Sequence, residues 1–237
     1  MKKLLFLFAI VFFDCQGQNF QYIISTYEVS EVKEKIMTHQ ENLKEMDDVN
    51  VFSIIHCKLI PTLVKKHKDF FISKPNYKLL SFAKGDLFHN NKNDYAFIVY
   101  DTKDERILIV VYNENSNKYD VLFKDIKIEN RLNAALCNYS TFGTLDYQIG
   151  AEIIYQKDFL IKNAEDYLES KICKVADITK DKDFILEYGC FSDTTFKSNP
   201  INSLCISTSS VYNNWECMKY DKERNIFIIF YGQAFAD

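Results

Sequence analysis

Hydrophobic and polar positions alternate in three different ways along this chain. Residues 26–47 place Val29, Val32, Ile36, Leu43 and Met46 at helical spacing, giving one apolar stripe opposite a charged face. Ser25 and Glu28 supply a capping box at its start. Residues 51–59 are apolar and β-branched with poor alternation, which fits either a buried strand or a buried helical turn. Pro61 then opens a short helix to about residue 68, residues 70–72 read as extended, and Pro75-Asn76 turns the chain.

From residue 77 the pattern changes to strands. Residues 77–83, 94–100, 106–112 and 119–123 are rich in aromatic and β-branched side chains and are joined by short polar segments. No helix intervenes, so these strands form an antiparallel meander without parallel crossovers. Farther on, residues 151–155, 184–188 and 204–208 read as strands and 164–170 as a short helix. Residues 215–220 and 226–231 make a hairpin across a charged five-residue turn. The Ile-Phe-Ile-Ile-Phe run in its second arm alternates too little for a half-solvated strand, so both faces are expected to be covered. The fold class is therefore α+β: a mostly antiparallel sheet preceded by N-terminal helices, in one domain over residues 20–237.

The third regime is the apolar run from Leu4 to Phe13 behind Lys2 and Lys3. It has the charged start and short hydrophobic stretch of an export signal. A bilayer-spanning helix needs about twenty apolar residues, so this run is too short to anchor the chain by itself. Residues 1–19 are accordingly set apart from the folded body. Two processing outcomes compete. Cys15, at the end of the run and followed by Gln16-Gly17-Gln18-Asn19, resembles the first residue of a mature bacterial lipoprotein, although Asp14 stands where a small residue is usual. The alternative is cleavage after Gly17, releasing a soluble protein. Lipidation at Cys15 is the reading adopted, with the protein facing the periplasm of a bacterial envelope.

Composition narrows the partners. A 47% apolar fraction with 20 Phe and 15 Tyr is enough for a large core. The net charge is −4, and the only dense basic run, Lys65-Lys66-His67-Lys68, reads as a solvated helix face, so no nucleic-acid partner is expected. Beyond Cys15 there are six cysteines, an even number in an oxidising compartment. The nearest pairings are Cys205–Cys217 and Cys173–Cys190; buried free thiols are the competing state.

One loop carries candidate chemistry. Gly85-Asp86-Leu87-Phe88-His89-Asn90-Asn91-Lys92-Asn93-Asp94-Tyr95 lies between two expected strands. It resembles G-D-L-N-x-D-x-x-x-D-[YFL]-[AV], the calcium-loop signature of FG-GAP-type repeats, and is similar to the single such loop in a family of exported proteins and lipoproteins of Bacteroidetes-type bacteria. The resemblance covers about residues 70–123. It implies a weak Ca2+ site at Asp86, Asn90 and Asp94, with no other cofactor. Phe88 replaces an oxygen ligand and Asn91 a glycine, and two carboxylates are few for a hard cation that takes six to eight oxygens. The competing reading is a turn in which Asp86 and Asn90 bind backbone amides and Phe88 packs inward.

No catalytic residue is assigned. There is no H-E-x-x-H, no G-x-S-x-G and no glycine-rich phosphate loop. The expectation is an exported, lipid-anchored, non-enzymatic binding module with a protein partner, one form being an immunity factor that caps a toxin. The alternative is an envelope hydrolase with a site assembled from scattered residues.

Overall fold

The computed structural model describes residues 44–45, 50–122, 124–130, 149, 172–184, 201–209 and 214–233. The export segment with Cys15, all of the first expected helix except Lys44 and Glu45, and the elements expected at 151–155 and 164–170 lie outside them. Lys44 and Glu45 are helical.

Residues 51–59 resolve to a helix. In α1 (Val51–Leu59) the buried side chains are Val51, Phe52, Ile55 and Leu59, a four-residue repeat that puts them on one face. Asn50 stands before it at φ 60°, a left-handed conformation that asparagine tolerates. Pro61 sits in a 3-10 turn, Ile60–Thr62, and α2 follows at Lys65–Ser73. The extended segment expected at 70–72 is thus the last part of a helix. His67 and Phe71 lie one turn apart and are both buried, so this period, not the local β propensity of Phe70-Phe71-Ile72, sets the conformation. The Lys65–Lys68 run is not a uniformly solvated face either, because His67 has no exposed surface.

The first sheet is the expected meander. β1 (Tyr77–Gly85), β2 (Asp94–Asp101), β3 (Arg106–Asn113) and β4 (Lys118–Val121) pair in sequence order, all antiparallel. All eight residues of β2 are buried. Tyr95, Tyr112 and Tyr119 stand opposite one another across three strands. His67 lies against this ladder, its ring centroid 4.2 Å from that of Tyr95 and 4.8 Å from that of Tyr112. On α1, Phe52 meets Tyr100 at 4.5 Å.

The second sheet has five strands in the order β5-β9-β8-β7-β6. β6 (Cys173–Ala176), β7 (Ser203–Ser209), β8 (Asn214–Asp221) and β9 (Ile226–Gln233) are antiparallel neighbours, and β5 (Lys127–Asn130) runs parallel to β9. β5 and β6 were not expected from the sequence. Of the strand expected at 184–188, residues 185–188 lie outside the described residues, and Phe184 is outside any strand. As expected, β9 is covered on both faces. Phe227 and Ile229 join the main core with Leu204, Ile206 and Met218, while Phe230 and Tyr231 join a smaller cluster with Trp215 and Phe184.

Gly85, the last residue of β1, lies close against the second sheet. A Cβ there would lie 2.6 Å from Cγ1 and 2.7 Å from Cβ of Val175 on β6. Gly85→Ala is therefore expected to destabilise the protein by roughly 1–3 kcal/mol. Val175→Ala, which removes the nearest atom, Cγ1, should recover part of that loss in the double variant, as should Val175→Gly, which removes Cβ as well. Urea denaturation of the single and double variants measures this; purely additive effects would contradict the contact.

Candidate functional site

The loop between β1 and β2 folds around its own acidic residues. Asp86 Oδ1 accepts the N–H groups of Asn90 and Asn91 at 2.7 and 3.1 Å, and Asn90 Oδ1 accepts that of Lys92 at 2.9 Å. Asp94 has no exposed surface. Its Oδ2 accepts Phe88 N–H at 3.1 Å, and its Oδ1 accepts Glu114 N–H at 2.9 Å and Asn90 Nδ2 at 3.4 Å. A buried carboxylate is tolerable only when hydrogen-bonded in this way. Phe88 is buried, its ring 4.8 Å from that of Tyr220 and 5.8 Å from that of Phe227 in the second sheet.

The structure thus brings Asp86, Asn90 and Asp94 together, as amide acceptors. This donor set does not fit a calcium ion. The third ligand position is a buried phenyl ring, and the carboxylate oxygens of Asp86 and Asp94 are engaged by N–H donors that an ion would have to displace. Among the described residues, no three His, Cys, Asp or Glu side chains are arranged to hold a metal.

The same loop forms one wall of an open cleft of about 600 Å³. Lys65 and Lys66 enter it from the first turn of α2, Lys84 from the end of β1, Lys92 from the loop, Tyr95 from β2 and Glu114 from the turn after β3. Lys66 is ion-paired with Glu114, and its ammonium lies 4.5 Å from the centroid of the Tyr112 ring. Burial opposes its charge, but Glu114 and Tyr112 outweigh that effect and raise its pKa. Lys84 lies over Tyr95 at 5.9 Å, and Lys65 pairs with Asp69 at 2.9 Å. Among the described residues, neither Lys84 nor Lys92 has a carboxylate partner.

Sequence reasoning picked out the Lys65–Lys68 run but not its cleft. Lys84 and Lys92 carry no motif; β1–β2 pairing sets Lys84 opposite Tyr95 and brings the two lysines to one place. It also passed over Asp177-x-Thr179-x-Asp181-x-Asp183. There Lys174 supplies the cation. Its ammonium is paired with Asp181 at 3.0 Å and with Asp183, and lies 4.5 Å from Trp215 and 4.6 Å from Phe184.

Two histidines within the described residues have structural roles. His56 Nδ1 accepts the N–H of Leu79 at 2.9 Å, and burial, with Lys78 nearby, lowers its pKa. His67 Nδ1 lies 2.6 Å from Tyr119 Oη, and its Nε2 has no partner among the described residues. Burial first, and Lys66 second, lower its pKa to about 4. Burial also raises the pKa of Tyr119, so the phenol keeps its proton. Cys57, beside His56, is an exposed free thiol. Consecutive helical positions point about 100° apart, so the two are not a nucleophile–base pair.

Cys205 and Cys217, paired across β7 and β8, form a disulfide with Cα atoms 4.1 Å apart. The expected Cys173–Cys190 bridge is overturned. Cys173 is a buried free thiol, its pKa pushed up to about 12 by burial, and it acts as a small apolar side chain. No protein family, curated protein or solved structure matches this chain.

The His67 environment predicts acid sensitivity. The unfolded chain takes up this proton near the ordinary histidine value of 6.5, the folded one only near 4. Stability is therefore fully present above the ordinary value and falls as pH drops through that window. His67→Phe should reduce the loss of unfolding free energy between about pH 7 and about pH 4.5 by roughly 2 kcal/mol, with His56 supplying a residual slope. Chemical denaturation at the two pH values checks this; an unchanged slope would contradict it.

Proposed function

We propose that this protein is an exported envelope protein, lipid-anchored through Cys15, that works as a non-enzymatic binding module through the lysine-lined cleft beside the 85–94 loop. The observation that carries the reading is the cleft itself, which four lysines from three separate elements line over a well-packed sheet. Such a surface attracts and orients a negatively charged partner. The imidazole adjacent in sequence to the cleft, His67, favours binding over hydrolysis. Its Nδ1 is engaged by Tyr119, it is walled in by aromatic rings, and it stays neutral at ordinary pH, so it is badly placed to exchange protons with a substrate.

Two features support the compartment. Lys2 and Lys3 with the ten apolar residues after them have the form of an export signal. A disulfide between Cys205 and Cys217 persists in an oxidising environment and is rare in the cytosol.

Mass spectrometry of the protein purified from its native cells tests this reading. The mature chain is expected to begin at an acylated Cys15, with Cys205 and Cys217 resistant to alkylation until reduced. Cys15→Ala should move the protein out of the membrane fraction. A chain that retains Met1, or a soluble one that begins at Gln18, would overturn the anchor.

A further inference from the structure

We propose that the cleft is a receptor site for a compact phosphate-type anion, a phosphate ester either free in solution or carried on a lipid headgroup. This rests on the binding-module reading above and names the ligand class for the same cleft.

Four lysines line the cleft, of which Lys65 is paired with Asp69 and Lys66 with Glu114, so two positive charges, on Lys84 and Lys92, remain over. A single carboxylate would leave one of these uncompensated. A phosphate monoester carries about two negative charges at neutral pH on oxygens that accept several donors at once. The chain as a whole has a net charge of −4. Beyond a Debye length of about 8 Å, a long polyanion would meet that net negative charge, whereas a compact ligand is governed mainly by the cleft.

The cleft also sits against the positive end of a helix dipole. The first turn of α2 reads Lys65-Lys66-His67-Lys68, with no acidic residue and no side-chain cap. The amide end of a helix is already positive, so cationic side chains there repel it and one another. Natural helices relieve this end with Asp, Glu, Ser or Thr. Here relief comes only from outside the turn, from Asp69 to Lys65 and from Glu114 to Lys66. A bound anion would offset a repulsion that the free protein must carry.

Lys66 is held between Glu114 and the Tyr112 ring, and the Lys92 backbone is held by Asn90 within the Asp86–Asp94 loop. The Lys66 ammonium is therefore presented from a fixed position and the Lys92 side chain from a fixed stretch of backbone, which lowers the entropy lost when an anion is captured.

Calorimetric titration of the full mature chain with inorganic phosphate, at ionic strength matched with chloride, tests the site. Both Lys84 and Lys92 are exposed, so Lys84→Gln/Lys92→Gln should fold normally, which a thermal melt verifies. Phosphate is expected to bind the native protein and to bind the double variant at least tenfold more weakly, while Lys222→Gln, in the β8–β9 turn, leaves binding unchanged. Co-sedimentation of the unacylated Cys15→Ala protein with phosphatidylcholine vesicles, with and without phosphatidic acid, distinguishes the sources. Retention that requires phosphatidic acid and falls in the double variant identifies a headgroup. Phosphate binding without that difference identifies a free ester. No binding in either arm, or equal binding by the double variant, would overturn the proposal. The mass measurement of the mature chain reads the compartment separately, so a failed titration removes the ligand class and leaves the export reading standing.

Discussion

The seating of Phe88 in the second sheet is the contact on which the arrangement of this molecule depends. It belongs to a stretch, residues 85–88, three of whose members tie the two sheets together. Gly85 admits Val175 at a distance no other side chain would allow, Asp86 reaches Asn202 at 3.5 Å, and Phe88 packs on Tyr220 and Phe227. Buried Asp94 aims the whole segment by accepting the N–H of Phe88 on one side and that of Glu114 on the other. The position where a calcium loop would place an oxygen thus carries an apolar plug. The loop holds its shape through its own amides, and the ring spends its apolar area on joining the sheets.

The same loop links architecture to recognition. Its interior side packs into the core through Phe88, while Lys92 on its outer side faces the cleft. Glu114 belongs to both regions, giving its backbone N–H to Asp94 and its carboxylate to Lys66. Loosening the inter-sheet contact should therefore disturb the position of the cleft lysines as well as stability, because both are set by one hydrogen-bonded unit.

Much of the fold was legible because its information is local. The four strands of the first sheet follow one another with short polar turns, so composition alone separates them, and β9 announced its burial through an apolar run. α2 was half missed because a nine-residue helix with two buried positions, His67 and Phe71, barely registers as a period, and its phenylalanines look like strand formers. β5 and β6 were missed because each has four residues and contains lysine, and because β5 pairs with a strand about a hundred residues away. Nothing local encodes such a pairing. The cleft was illegible for the same reason. Lys65, Lys84 and Lys92 meet only once the helix is laid on the sheet and β1 turns back as β2. The disulfide pairing Cys205–Cys217 was within reach because the two residues flank a short hairpin, whereas Cys173 shows that an even cysteine count does not oblige every thiol to pair.

A double-mutant cycle on Phe88→Ala and Phe227→Ala, read by equilibrium denaturation, tests the inter-sheet plug most directly. The rings meet edge to face at 5.8 Å, and the account predicts a coupling energy of about 1 kcal/mol between the two substitutions. Effects that add to within about 0.3 kcal/mol would show that Phe88 does not engage the second sheet, and the picture of a self-sufficient loop joining the two sheets would fall.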